Sequence, residues 1–209
     1  MLAKSQKFDL KAAKVFEALE LDSSGSCDFF KRQCNFFPSS VLVKLRDKRI
    51  GNEGRTLLHN AARAGALAAV LFLIRKGHDI NTVDSGISRV TPLMDAISYN
   101  HIEVSIILVE SGASLSCTDL NGENALHYVA RTGCCRLARW LAKASGISRE
   151  HLMEASSSVN VKLQFPEDVA KSSLCREVLL NFREAGVCGA LLRKAGKIDS
   201  NGATMKVLS

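Results

Sequence analysis

The sequence predicts an all-α solenoid of stacked helix-turn-helix units with hairpin-like connecting loops and helical caps. Three observations carry that expectation. The stretch GRTLLHNAARAG at 54–65 returns as VTPLMDAISYNH at 90–101 and as ENALHYVARTGC at 123–134. Thr56, Thr91 and Asn124 head the three phrases, 35 and 33 residues apart, and self-similarity at a fixed period of this size marks an array of like units. Each of the first two phrases is followed by a second apolar run that ends at a glycine, Gly77 or Gly112, able to stop a helix.

The units align beyond their opening phrases. Leu58, Leu93 and Leu126 coincide, as do Ala61, Ala96 and Val129, and then Leu73, Leu108 and Leu141. LLHNAARAG reads as a first helix, ALAAVLFLIRKG as a second, and HDINTVDSG and ASLSCTDLNG carry the turn chemistry that leads to the next pair. One such pair cannot bury its apolar face alone, whereas a stack of three or more closes a continuous core. Phe72, Ile107 and Trp140, at one position of each second helix, read as packing between units.

TLLHNA, TPLMDA and NALHYV resemble the Thr-Pro-Leu-His-x-Ala signature of the ankyrin repeat. Leu57 and Ala125 stand where that signature has proline, Met94 where it has histidine, and the third unit ends one residue late, at Gly146. The expected organisation is a helical cap over 1–50 and an ankyrin-repeat domain over 51–186. Its repeats fall at about 54–86, 87–121 and 122–146. A degenerate fourth at 163–186 follows an insertion of eight residues, and a basic tail covers 187–209. In the fourth unit Phe165-Pro166 takes the Thr-Pro place, PEDVAKSS reads as the first helix, and Gly186 as the final stop. The tail is expected to form a short helix running into disorder.

Bulk properties set the function classes. Nine apolar residues, 66–74, form the longest such run, against the ~20 that span a bilayer. Seven cysteines without a Cys-x-x-Cys pair, and no Asn-x-Ser/Thr acceptor, point to an intracellular protein of cytoplasm or nucleus. The net charge of +7 lies at the ends, with +4 in 1–50 and +3 in 187–209. These basic ends keep nucleic-acid binding open as an alternative that the mixed charge of the centre disfavours. No phosphate-binding loop, nucleophile elbow or His-Glu-x-x-His motif occurs, and the carboxylates are scattered singly. No enzyme activity, cofactor or metal is therefore expected. Cys134 and Cys135 near His127 allow a redox-sensor alternative, but adjacent helical positions diverge by about 100° and suit a tetrahedral metal site poorly.

The resemblance implies structural roles for His59 and His127, bonding to neighbouring backbone. It also implies that first helices and hairpin tips form a concave binding face, and that Asn81 is a candidate for asparaginyl hydroxylation. The face positions lie four, seven and eight residues beyond the heading residue: Asn60, Arg63, Ala64; Asp95, Ser98, Tyr99; Tyr128, Arg131, Thr132. Both tyrosines of the chain fall there, and Tyr and Arg dominate binding energy in interfaces. The expected partner-binding set is Arg63, Tyr99, Tyr128 and Arg131, ringed by Asp95, Arg89 and Glu123. The expected function is a non-catalytic protein-interaction module, a scaffold, adaptor or inhibitor that takes a partner protein or peptide. Its alternative is the recognition part of a larger enzyme such as a methyltransferase, kinase or ubiquitin-ligase component.

Overall fold

Short helices alternate with tight turns along the chain, as the glycine punctuation requires. The computed structural model describes residues 54–86, 88–144 and 146–194, with side chains of the last helix described as far as Glu184. The helices expected in 1–50 and the end of the basic tail lie outside the described residues. The described helices are α1 Leu57–Arg63, α2 Leu67–Arg75, α3 Pro92–Ser98, α4 Ile102–Glu110, α5 Ala125–Thr132, α6 Cys135–Lys143, α7 Arg149–Ser156 and α8 Ser173–Lys194. First helices pack on first helices, α1 on α3 and α3 on α5, and second helices likewise, α2 on α4 and α4 on α6.

The aligned positions are the core. Leu58, Leu93 and Leu126, then Ala61, Ala96 and Val129, then Leu73, Leu108 and Leu141, are all buried, with Phe72, Ile107 and Trp140 packed against them. Each fully buried leucine contributes roughly 1.5–3 kcal/mol of apolar transfer. Between the paired helices the chain turns through the left-handed region at Gly65 (φ 70°), Asn100 (φ 60°) and Gly133 (φ 74°). A side chain at Gly65 would place Cβ 2.5 Å from the His101 ring, which bonds through Nε2 to the Arg63 carbonyl at 2.9 Å.

Two buried histidines tie neighbouring units together. In His59 the Nε2 lies 3.0 Å from the Val90 carbonyl of the next unit, and the Nδ1 lies 2.8 Å from the Thr56 hydroxyl. The Thr56 backbone N–H donates to that same Nδ1 at 3.2 Å. A carbonyl accepts only, so the proton sits on Nε2. His127 repeats the arrangement, with Nε2 donating to the Gln164 carbonyl at 3.1 Å and the Asn124 N–H donating to Nδ1 at 3.3 Å. The middle unit has Met94 there, fully buried, and caps α3 through its N–H donating to the Thr91 hydroxyl at 3.3 Å.

The last unit departs from expectation in two places. PEDV is turn rather than helix, while the inserted segment supplies α7, packed on α8. Its hydrogen bonds keep the alignment: Gln164 receives His127 as Val90 receives His59, and the Phe165 N–H donates to Asp168 three residues on, at 2.9 Å. Nor does α8 stop at Gly186. It runs unbroken to Lys194, because a glycine in a helix interior only weakens it, by about 1 kcal/mol, unless the chain turns left-handed there.

Burial holds the His127 pKa below its usual value, opposed by the Gln164 carbonyl bond and by Glu123 and Asp119. A depressed folded-state pKa means that the unfolded chain binds the extra proton first, so this contribution is intact above the ordinary histidine range and is lost as pH falls. The urea midpoint is therefore expected to drop between pH 7.5 and 5.5, and His127→Gln to reduce that drop. An undiminished drop in the variant would contradict the assignment.

Candidate functional site

Two of the hairpins are each held by one side chain. The Asp119 carboxylate accepts the N–H groups of Asn121 and Glu123, both at 2.8 Å, and its other oxygen accepts the Tyr128 hydroxyl at 3.0 Å. Asn160 does the same in the following hairpin, accepting from Lys162 and Gln164 at 2.9 and 3.0 Å. In the first hairpin the Asp84 N–H donates to the Val90 carbonyl across two more residues. Adjacent hairpins are laced together: Ser85 N–H to the Gly54 carbonyl (3.2 Å), Leu120 N–H to Ser88 (3.1 Å) and Val161 N–H to Asn121 (2.9 Å).

This scaffold divides the seven expected binding residues. Tyr99 is 47% exposed, and the Arg63 guanidinium lies over its ring, 4.8 Å from the centroid. Arg89 is exposed in the first hairpin. Arg131 is half exposed, stacks on the Tyr128 ring at 4.5 Å and pairs with Glu123 at 2.8 Å. Contrary to the expected exposure, Tyr128, Asp95 and Glu123 are buried. Tyr128 is turned onto Asp119, and burial raises its phenol pKa. Asp95 faces Arg55 of the preceding hairpin at 3.3 Å.

The reason is geometric. Helical Cα–Cβ bonds tilt toward the N-terminus, so a side chain four residues past the helix start leans back over the hairpin. Those seven and eight residues past it clear the hairpin. Arg63, Ser98, Tyr99 and Arg131 accordingly reach solvent, wholly or in part. Asn81, the expected modification site, is exposed at the base of the first loop. Its Oδ1 accepts the Ser114 N–H at 2.8 Å, bridging to the next loop.

Electrostatically, three buried carboxylates of this face are paired internally. Glu123 pairs with Arg131, Asp95 with Arg55, and Glu167 with Arg183 at 2.6 Å, the last stacked over Phe165 at 4.3 Å. Counting positions missed the exposed apolar side chains of the tips, Leu120, Val161 and Leu163. Their signal was present as aliphatic residues inside turn segments.

Neither Cys134 nor Cys175 is an activated nucleophile. Burial raises the pKa of Cys134, and pushes that of Cys175 up to about 12, so the reactive thiolate is disfavoured there at neutral pH. The Cys135 thiol donates to the Ser172 hydroxyl at 3.3 Å. Among the described residues no group of three or more His, Cys, Asp and Glu could hold a metal ion, and no helix is long and apolar enough to cross a membrane.

A family model described as ankyrin repeats, three copies, matches residues 58–151. The mouse B-cell lymphoma 3 protein homolog is 34% identical over 102 residues, covering 47% of this chain and 22% of that protein. The mouse nuclear factor NF-kappa-B p105 subunit is 33% identical over 113 residues, 51% of this chain and 11% of its own length. A rice probable E3 ubiquitin-protein ligase, XBOS33, is 32% identical over 148 residues, 70% of this chain and 27% of its own length. The chain thus spans about a quarter or less of these relatives.

Tyr128→Phe removes the shorter of two bonds to the buried Asp119 Oδ2, leaving only the Asn121 side-chain amide at 3.4 Å. We expect a loss of about 1–3 kcal/mol in unfolding free energy, measured by urea denaturation. A loss under about 0.5 kcal/mol would show that this tyrosine is not a strut of the hairpin.

Proposed function

Residues 58–151 belong to the ankyrin-repeat family, a class of protein-interaction modules, and from that premise we propose that this chain is a non-catalytic recognition module. It presents the concave face of first helices and hairpins to a segment of a partner protein and serves as scaffold, adaptor or inhibitor in cytoplasm or nucleus. The observation that carries the reading is the Arg63–Tyr99 pair, an exposed ring already held by a guanidinium from the neighbouring repeat. An ordered Tyr-Arg pair loses little side-chain freedom on association, so more of its contact energy reaches affinity. Arg131, fixed by Glu123 and the Tyr128 ring, extends the same surface.

A second reading is that the repeats are the recognition part of a larger enzyme. It is favoured by the match of 70% of this chain to a protein named as a probable E3 ubiquitin-protein ligase. Both readings give these residues the same task, holding a protein segment. Nucleic-acid binding through the basic ends draws no support from the described face, where Arg55, Arg131 and Arg183 are paired with carboxylates.

Partners captured from cell lysate by wild type and by Arg63→Ala/Tyr99→Ala, quantified by mass spectrometry, test this. The variant is expected to keep the wild-type circular dichroism spectrum and thermal midpoint and to lose its principal partner by at least ~10-fold, as for interface hot spots. Equal capture by a folded variant would refute the concave assignment.

A further inference from the structure

We propose that the row of hairpin tips formed by Arg89, Leu120, Val161, Lys162 and Leu163 is a docking ridge. It takes an extended, acidic segment of a partner protein that carries apolar side chains about every third residue. The proposal rests on the reading that the repeats hold a protein segment, and it specifies the chemistry of that segment.

The tips lie in line because the backbone laces them. Leu120 donates to the Ser88 carbonyl and Val161 to the Asn121 carbonyl, at 3.1 and 2.9 Å. Equivalent helices of neighbouring repeats sit ~8–10 Å apart, so three tips span ~20 Å. An extended chain covers each interval with about three residues.

The row is apolar and open. Leu120 is 52% exposed, Val161 67% and Leu163 80%. One such residue is ordinary on a protein surface; three on two neighbouring tips, Leu120 on one and Val161 with Leu163 on the next, form a strip.

Backbone conformation supplies an independent argument. The residue two places before each heading position adopts positive φ: Arg89 at 53°, Gly122 at 71° and Leu163 at 59°. Gly122 is what folding alone asks for, since a Cβ there would approach the Val161 nitrogen to 3.2 Å. Arg89 and Leu163 occupy a conformation that glycine tolerates far better, and both direct their side chains into water. The hairpin gains no packing from either, so these side chains answer a need outside the fold.

Charge selects the occupant. Arg89 and Lys162 are exposed and form no ion pair among the described residues. The carboxylates behind them, Asp119 and Glu123, are buried and committed to hairpin N–H groups, Tyr128 and Arg131. A ridge of aliphatic carbon with positive charge at both ends complements an acidic, apolar segment. A nucleic acid would find few cations for its phosphates, and a second copy would set like charge against like.

The test uses the full 209-residue chain and a fluorescein-labelled peptide of about twelve residues in Asp-Glu-Leu triads, enough to cross the three tips, read by anisotropy. The peptide is expected to bind, and to bind at least ~10-fold more weakly when its acids become lysines or its leucines serines. Arg89→Gly/Leu163→Gly is expected to weaken binding by at least ~10-fold while the thermal midpoint stays or rises by about 2 °C, because glycine relaxes the positive-φ positions. Lys162→Glu is expected to weaken the acidic peptide and strengthen the lysine version.

Unchanged binding by the double glycine variant would overturn the ridge, as would a fall in its thermal midpoint, which would make the side chains part of the fold. Preference for an oligonucleotide over the peptide would overturn it as well, and so would a dimer in sedimentation that Leu163→Gly abolishes. Loss of binding in Tyr99→Ala with retention in Leu163→Gly would overturn the ridge yet keep the concave reading. The reverse pattern would support the ridge and sink the concave reading.

Discussion

Most helices of this stack are too short to stand alone. The six paired ones, from α1 to α6, have seven to nine residues, well under the ~12–15 at which an isolated helix becomes marginally stable in water. Their stability comes from the neighbouring repeat. Leucines and alanines at fixed positions close the interface, and buried histidines at both ends of the array bond to the next repeat's backbone. The hairpins depend on the same contact, since each donates an N–H to the hairpin before it. The fold and the proposed binding surface therefore share one origin.

That origin also sorts the charges. A carboxylate pressed under a hairpin must be bonded or paired, because an isolated buried charge is unfavourable by several kcal/mol. Asp119 is satisfied by backbone and phenol, while Asp95, Glu123 and Glu167 each face an arginine. Those acids are spent on architecture, leaving cations, an exposed tyrosine and three aliphatic tip residues open to solvent.

Much of the architecture was legible in the residues. Period, register and core follow from the alignment of Leu58, Leu93 and Leu126, because burial of like positions in like units needs no tertiary knowledge. The match of Phe165-Pro166 to the opening of a fourth unit is echoed in the hydrogen bonds, yet its first helix is a turn, since tertiary contacts can satisfy PEDV without helix. Gly186 read as a stop because glycine permits a left-handed turn, but permission is not obligation. Of the expected binding positions, the exposure of Arg63 and Tyr99 follows from helix counting. Tyr128 and Asp95 do not, because their burial depends on what the hairpin places beside them, Asp119 in one case and Arg55 in the other. The tip residues escaped notice because a turn motif announces its backbone, not the exposure of an unneeded side chain.

Stacking makes the hairpin row rigid before any partner arrives. Native-state amide hydrogen exchange tests it most directly, at the N–H groups of Ser85, Leu120 and Val161, which donate between hairpins. The account predicts that all three exchange only through openings that also expose α3 and α5, with protection within about tenfold of those helices. Exchange at the rate of fraying loops, while the helices stay protected, would contradict it, for the tips would then move independently of the stack.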